Sequence, residues 1–157
     1  MSIHIRRAKP YDAPIVAGLV GELLQEIMAA IGTKAFGFSQ VDTEARTRSW
    51  LTDGSYTVLL AREEKTAVGL LALSESHALY AEGVFGTIPE LYVRPEFRSR
   101  GVGGRLLAEA KQFARSRGWT RLEVTTPPLP QFDRALEFYQ QQGFSISGGR
   151  KMKADVG

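Results

Sequence analysis

The sequence predicts a mixed α/β fold, in which helices pack against a central sheet. Near the amino terminus, apolar residues recur at helical spacing over several turns. Further along, two apolar runs flank the charged segment Glu63-Glu64-Lys65, a pattern typical of a β-hairpin. In the middle of the chain, a β-rich run passes through a turn of arginine and glycine directly into another amphipathic helix. Strands and helices therefore alternate along the whole chain, which indicates a mixed sheet.

The first third of the chain is predicted to contain one strand and two helices. Residues 3–7 alternate as a strand does. Asp12 is suited to cap the first helix, and Pro14 fits its first turn. The apolar side chains of this helix are Ile15, Leu19, Leu23, Ile27 and Ile31. A loop over residues 32–39 then leads to a second helix over about residues 43–51.

The middle third is predicted to contain three strands. Residues 56–61 and 67–73 are apolar and form the hairpin. Residues 74–86 are polar and aromatic, and we expect a loop there. Residues 87–93 form the strand that leads into the turn of arginine and glycine.

The last third is predicted to alternate helices and strands. The helix that follows the turn ends at Arg117-Gly118, and residues 121–125 form a strand. The prolines within residues 127–130 exclude a helix interior or a central strand. A short helix covers residues 133–141. Two strands, 144–147 and 150–153, are expected to close the sheet around Gly148-Gly149.

Length and composition exclude several classes of protein. A chain of 157 residues suits one domain, and we expect residues 1–157 to form one. It has no cysteine and only His4 and His77, so disulfides, a cysteine acyl-enzyme and a metal site built on Cys or His are not expected. The net charge of +3 is modest, and no basic stripe accompanies a known nucleic-acid motif. We therefore expect no metal and no nucleic-acid partner.

The location of the protein is predicted from what the sequence lacks. The first residues contain no apolar signal core. No run approaches the about 18 apolar residues that a membrane span needs. The expectation is a soluble, cytoplasmic protein without membrane association.

The turn between Val93 and Leu106 holds the most chemical information. Its glycines allow a ligand to approach the backbone closely, because they have no Cβ. The first N–H groups of the following helix have no partners inside the helix, and with the helix dipole they form an anion site. Arg98, Arg100 and Arg105 add positive charge. The segment therefore predicts a cradle for a pyrophosphate.

Three kinds of glycine-rich phosphate loop can be compared with this cradle. A Walker loop requires Gly-Lys-Ser/Thr, but Gly104 is followed by Arg105 and Leu106. A dinucleotide-binding fingerprint requires a third glycine at position 106, but this chain has leucine there. The pattern Arg98-x-x-Gly101-x-Gly103, which follows Leu91-Tyr92-Val93 and Pro95, resembles the acyl-CoA loop of the GCN5-related N-acetyltransferase (GNAT) family. The block from Ala135 to Phe144 resembles a late motif of that family, a short helix with Phe138-Tyr139 that closes at Gly143-Phe144.

This resemblance implies a fold and a co-substrate. The GNAT-like fold has a central mixed, mostly antiparallel sheet flanked by helices, and the co-substrate is acetyl-CoA. The backbone of Leu91, Tyr92 and Val93 would line the pantetheine arm, with one of its N–H groups facing the thioester carbonyl. The pyrophosphate would be wrapped by Arg98, Ser99, Arg100, Gly101, Val102, Gly103 and Gly104.

The resemblance also implies catalytic roles. Tyr139 matches the tyrosine that protonates the CoA sulfur, although a packing role beside Phe138 is the alternative. Glu90 lies, by strand alternation, on the face opposite Leu91, where it would act on the acceptor amine as a base or only hold its positive charge. His77 and Glu82 are the next candidates for the base.

Two loops are expected to shape the site. Phe36 and Phe38 lie where the family forms its acceptor pocket, although they could equally anchor the core. Phe132 occupies a position where the family often has an Asn that touches the pantetheine arm, so a cofactor contact from that loop is in doubt. The prolines of Pro127-Pro128-Leu129-Pro130 would instead stiffen one wall of the acceptor site.

The expected function is acetyl transfer from acetyl-CoA to a primary amine of a small molecule. Transfer would be direct, in a ternary complex, which agrees with the absence of cysteine. The alternatives are a protein amino terminus or lysine as acceptor, and a non-catalytic sensor of acyl-CoA. The resemblance also allows a homodimer, because pairs are common in this family.

Overall fold

The computed structural model describes residues 2–157. Its regular elements are, in chain order, β1 (Ile3–Arg7), α1 (Ala13–Ile31), α2 (Gln40–Asp53), β2 (Thr57–Glu63), β3 (Thr66–Ala78), β4 (Gly83–Ile88), β5 (Leu91–Val93), α3 (Val102–Ser116), β6 (Leu122–Val124) and α4 (Asp133–Gln141). Three short 3-10 turns lie before α1, after β3 and after β5.

The six strands form one sheet in the order β1-β2-β3-β4-β6, and β5 pairs with β3. Only the β4–β6 pair is parallel, and the other pairs are antiparallel. The predicted mixed, mostly antiparallel sheet flanked by helices is therefore confirmed.

Each face of the sheet buries its own apolar cluster, because alternate residues of a strand point to opposite faces. Leu70 belongs to the cluster beneath α1, with Leu19 of that helix. The next residue, Leu71, belongs to the cluster beneath α3 and α4, with Leu106 and Tyr139. The α1–α2 face and the α3–α4 face of the sheet are thus separate environments.

Helix α1 begins as predicted, but Asp12 acts differently from a simple cap. Asp12 is at the N-cap position, yet its side chain makes no capping bond to α1. Its carboxylate instead accepts hydrogen bonds from the Arg6 guanidinium, at 2.8 and 2.9 Å, and from the Lys9 N–H at 2.7 Å. These bonds hold the pKa of Asp12 below its ordinary value. The result is a link between β1 and the start of α1.

The segment Pro10–Ile31 is long and apolar enough to cross a membrane, by length and composition alone. The prediction that no run approaches a membrane span is wrong by this measure. One such helix is weak evidence, because core helices and signal sequences pass the same test. In this structure Val16 and Leu19 are buried against the sheet.

A β-bulge separates β4 from β5, where the sequence predicted one strand over residues 87–93. Leu71 pairs with Leu91 and Ser74 with Thr87, so three steps along β3 match four steps on its partner. The extra residue falls at Pro89-Glu90, and a proline fits there because it has no N–H to pair. The register with β3 therefore shifts by one residue directly before Leu91.

Two further predictions about the sheet are wrong. Residues 74–86 are not a loop, because β3 continues to Ala78 and β4 begins at Gly83. The Ser74 and Thr87 hydroxyls share a hydrogen bond of 2.8 Å between β3 and β4. Polar side chains can therefore stabilise a cross-strand pair, as apolar ones do. Within residues 2–157 no strand follows α4, so the predicted strands 144–147 and 150–153 are absent.

Candidate active site

At the bulge the sheet opens into a wedge, which is the gap between β5 and β6. Strand β6 runs parallel to β4 over Gly86 to Ile88 only, and β5 then continues beside β3 alone among the described strands. The Ala72 N–H donates to the Glu90 carbonyl and the Arg94 N–H to the Val68 carbonyl. By ladder alternation, the N–H groups of Leu91 and Val93 therefore point to the opposite edge, into the wedge. These N–H groups are therefore free to face a ligand, as the resemblance implies for the pantetheine arm, and that contact stays a prediction.

The predicted cradle lies at the end of that wedge, at the start of α3. Ser99 and Gly101 both have positive φ, at 62° and 79°, and Gly101 is the N-cap residue of α3. The Arg105 N–H already donates to the Gly101 carbonyl at 3.1 Å. The three preceding N–H groups, of Val102, Gly103 and Gly104, have no acceptor within the helix and are available to an anion. The backbone therefore fits a pyrophosphate.

Two arginines of the cradle region are held by α1. Arg98 forms a bidentate ion pair with Glu26, at 2.6 and 2.9 Å, and also donates to the Val93 carbonyl at 2.7 Å. Arg94 pairs with Glu22 at 2.9 Å, and the Tyr92 hydroxyl donates to the same carboxylate at 3.1 Å. The structure therefore gives Arg98 a positioning role, in which it fixes β5 and the cradle loop to α1. Arg100 lies over the Phe97 ring at 5.5 Å, and Arg105 is exposed.

These acidic partners, Glu22 and Glu26, were not recognised in the sequence. The signal was present, because Glu22 and Glu26 are four residues apart on one helix face, as Arg94 and Arg98 are in sequence. Nothing in the sequence shows, however, that α1 lies against β5.

Gly103 lies beside α4. A Cβ at Gly103 would lie 3.0 Å from Cζ of Phe138, so this glycine allows α4 to pack closely on α3. Its predicted contact with the pyrophosphate stays a prediction. Gly101, in contrast, has open space around it and a φ that favours glycine. The conformation of the cradle therefore depends on Gly101.

We expect Gly101→Val and Gly103→Val to have different effects. Left-handed φ costs a non-glycine residue about 1–2 kcal/mol, so Gly101→Val should weaken CoA binding by about 5- to 30-fold as the loop relaxes. Gly103→Val should displace Phe138 and destabilise the fold by about 1–3 kcal/mol. Calorimetry with CoA and thermal melts would test both variants. Equal CoA affinity in Gly101→Val and wild type would contradict this account of the cradle.

Tyr139 is buried on the α3–α4 face of the sheet. Its ring packs against Phe138 and Phe144, with centroids at 5.4 and 5.5 Å. Leu91 and Val93 of β5 pack against the same apolar cluster. Tyr139 therefore lies on the face of the sheet to which these two side chains point. Burial raises the pKa of Tyr139 to about 12. Within residues 2–157 its hydroxyl has no hydrogen-bond partner, which leaves it able to donate to a ligand.

Glu90 faces the other side of the sheet. Ile88 and Leu91 pack with α3, whereas Glu90 lines a cavity between the sheet, α1 and α2. Without the bulge, Ile88 and Glu90 would lie on one face, so the extra residue is what directs this carboxylate into the cavity. The Tyr56 hydroxyl donates to Glu90 Oε1 at 3.2 Å. Burial raises the pKa of Glu90 above its ordinary value, although the bond from Tyr56 opposes the rise.

The cavity has a volume of about 260 Å³. Small-molecule pockets begin at about 300 Å³, so this one suits a compact ligand. Phe38 lies in its wall and approaches Gly21 of α1 so closely that a Cβ there would be 2.8 Å from the ring. Phe36 is exposed. The residues that line the cavity are Val16, Val20, Leu24, Gly37, Phe38, Thr43, Arg46, Thr47, Trp50, Tyr56, Val58, Leu70, Ala72 and Glu90.

The other candidate residues lie outside this cavity. His77 is exposed near the end of β3, 3.9 Å from Glu75, and Glu82 is exposed after the following turn. Phe132 precedes α4, and its N–H donates to the Pro128 carbonyl at 3.1 Å. Across residues 2–157, no group of three His, Asp or Glu side chains is placed to hold a metal ion.

The model of the Acetyltransferase (GNAT) family matches residues 22–144. An aminoalkylphosphonate N-acetyltransferase of Salmonella typhimurium is 29% identical over 152 residues, which cover 96% of this chain and 90% of that protein. A predicted acetyltransferase of Clostridium acetobutylicum, solved with acetyl-CoA, has a TM-score of 0.78 at 15% identity and covers 97% and 96% of the two chains. An aminoglycoside acetyltransferase from an uncultured soil sample has a TM-score of 0.77 at 21% identity, with 99% and 97% covered. At these identities the structural likeness shows the fold.

Proposed function

This chain belongs to the GNAT acetyltransferase family and is an acyl-CoA-dependent acetyltransferase, and on that premise we propose that it acetylates a primary amine of a small molecule. One observation carries the proposal. The bulge directs the Glu90 carboxylate into a compact cavity on one face of the sheet, and the wedge lined by Leu91 and Val93 opens directly beside it. An acceptor in the cavity and an acyl group in the wedge would therefore meet at residues 89–91.

A small acceptor is supported by the shape of the cavity. The cavity is walled by α1, α2 and the aromatic residues Phe38, Trp50 and Tyr56. A protein amino terminus or lysine would need an open groove to admit the neighbouring chain. The Salmonella relative and the soil-sample neighbour are named for aminoalkylphosphonate and aminoglycoside, which are also small molecules.

The residues of the two sites divide the proposed chemistry. Acetyl-CoA supplies an acetyl group as a thioester, so the C–S bond is replaced by the C–N bond of an amide. Glu90 takes the proton that the amine loses as it attacks. The N–H groups that face the wedge, at Leu91 and Val93, are placed to donate to the oxyanion. Tyr139 donates from the α3–α4 face to the sulfur as it acquires negative charge.

Binding of CoA to the cradle is expected to stabilise the fold. At about 100 times its dissociation constant, a ligand adds about 2.7 kcal/mol to the free energy of unfolding. For a chain of this size that corresponds to a rise in Tm of about 5–10 °C. Thermal melts with CoA would measure the shift, and pantetheine, which lacks the pyrophosphate, is the control ligand. A Tm that is the same with and without saturating CoA would contradict the proposed cofactor site.

The remaining expectations stay predictions. They are a single domain over residues 1–157, a cytoplasmic location, the absence of nucleic-acid and membrane partners, and a possible homodimer. A non-catalytic sensor would bind CoA and leave every amine unmodified. Turnover therefore separates that alternative from the proposed enzyme.

A further inference from the structure

We propose that the acceptor amine also carries an acidic group, a carboxylate or a phosphonate, and that Arg46 binds this group while Glu90 receives the amine. The inference rests on the proposed function, because it treats the cavity beside Glu90 as the acceptor site. It adds the chemical class of the acceptor and a residue that selects it.

The charge of the cavity supports a ligand with two opposite charges. Among the described residues that line it, only Arg46 and Glu90 are charged. No ion pair joins these two side chains within residues 2–157. The cavity therefore offers one negative and one positive group that do not neutralise each other. An amine with an acidic group would neutralise both.

The position of Arg46 on α2 is fixed by helix geometry. Thr43, Thr47 and Trp50 also line the cavity, and residues three or four apart share one face of a helix. Arg46 is thus part of the face that α2 turns to the cavity, although the residue as a whole is exposed. Within residues 2–157 it makes no hydrogen bond or ion pair, unlike Arg94 and Arg98. Its guanidinium is available to an anion at the rim.

The walls around these charges increase their effect on specificity. Trp50 and Tyr56 lie with their ring centroids 5.0 Å apart, and Phe38 completes the aromatic wall. These apolar walls lower the local dielectric around the half-buried Glu90, which strengthens its attraction for an ammonium group. Arg46 lies at the exposed rim, where a simple alkylamine would gain nothing from its charge. A site built to bind a polar group discriminates against an analogue that lacks it.

Arg48 provides a matched control on the same helix. It is an exposed arginine two residues from Arg46, and it does not line the cavity. Residues two apart on a helix do not share a face. Arg48→Gln therefore removes the same charge from the protein without changing the proposed site.

The experiment compares each acidic amine with an analogue that has the same carbon chain and amine but no acidic group. The pairs are 3-aminopropanoic acid with 3-aminopropanamide, and 2-aminoethylphosphonic acid with its dimethyl ester. Release of CoA thiol would give kcat and KM for wild type, Arg46→Gln, Arg46→Lys and Arg48→Gln. Melting curves would confirm that each variant is folded. The two acids distinguish a carboxylate site from a phosphonate site.

We expect wild type to prefer at least one acid over its uncharged partner by about 10- to 100-fold in kcat/KM, mainly through KM. Arg46→Gln should remove the preference, Arg46→Lys should keep part of it, and Arg48→Gln should keep all of it. Acetylation of both members of each pair at similar rates would overturn this inference alone. A preference that survives in Arg46→Gln would overturn it as well. If CoA binds but no amine is acetylated, this inference and the proposed function both fail.

Discussion

Glu90→Gln is expected to lower kcat/KM for acetyl transfer by about 10²- to 10⁴-fold, the usual contribution of a general base. Gln has nearly the same shape as Glu and can keep the contact with the Tyr56 hydroxyl, which lies 3.2 Å from the carboxylate. Only the ability to accept a proton is lost. Affinity for CoA should stay unchanged, because the cradle lies at the start of α3. Steady-state kinetics and CoA calorimetry would separate these two effects.

The pH dependence tests the same role independently. A base must be deprotonated, so activity falls as the pH drops through the pKa of Glu90. Burial raises that pKa, so the acid limb of the rate profile should lie above about pH 4.3, where an ordinary Glu titrates. The bond from Tyr56 lowers the pKa, so Tyr56→Phe should move the limb to higher pH. In Glu90→Gln the limb should disappear.

Glu137→Gln is a suitable control, because Glu137 is exposed on α4 and does not line the cavity. It should leave both rate and profile unchanged. A profile that is the same in Glu90→Gln and wild type would show that the base lies elsewhere, and His77 and Glu82 would then be tested next.

Tyr139→Phe is expected to lower kcat by about 100-fold, near the lower end of the range for general acids. The pKa of about 12 keeps the phenol protonated at neutral pH, so a donor is always present. The same value limits full proton transfer, because a free thiol has a pKa of about 8.5. The hydroxyl therefore contributes mainly a hydrogen bond to the developing thiolate, and water can replace it in part.

Stability should not change in this variant. The ring contacts with Phe138 and Phe144 are kept, and the hydroxyl that is removed has no partner within residues 2–157. Tyr80→Phe, on an exposed residue, is the matched control. If kcat of Tyr139→Phe stays within about twofold of wild type while CoA still binds, Tyr139 serves packing and the sulfur is stabilised by another group.

The sequence predicted most helices and strands within a few residues. Helix α4 has the predicted bounds, and α3 ends within a residue of the predicted stop at Arg117-Gly118. The reason is local, since apolar periodicity and end signals fall within each helix. The sequence also placed the start of a helix directly after the turn of arginine and glycine, and α3 does begin there, at Val102. That this helix start holds a pyrophosphate stays a prediction.

The predictions that failed depend on which strands lie next to one another. Residues 144–147 alternate like a strand and 150–153 do not, but neither segment forms one, because a strand forms only beside an available edge, which no local pattern shows. The break between β4 and β5 had a visible signal in Pro89, since proline interrupts a ladder. Strand alternation correctly placed Glu90 on the face opposite Leu91, but the effect of the break, which puts Ile88 and Leu91 on one face, needed the register with β3. Arg46 was missed because the cavity forms only when α2 packs against α1 beside the sheet.

The central claim is acetyl transfer to a small amine with Glu90 and Tyr139 at the site. The most direct test follows acetyl-CoA, CoA thiol and acetylated amine together in one reaction, by thiol assay and mass spectrometry. We predict one acetylated amine for each thiol released, and a loss of both in Glu90→Gln with Tyr139→Phe. Thiol released without acetylated amine, or equal turnover in the double variant, would contradict the claim.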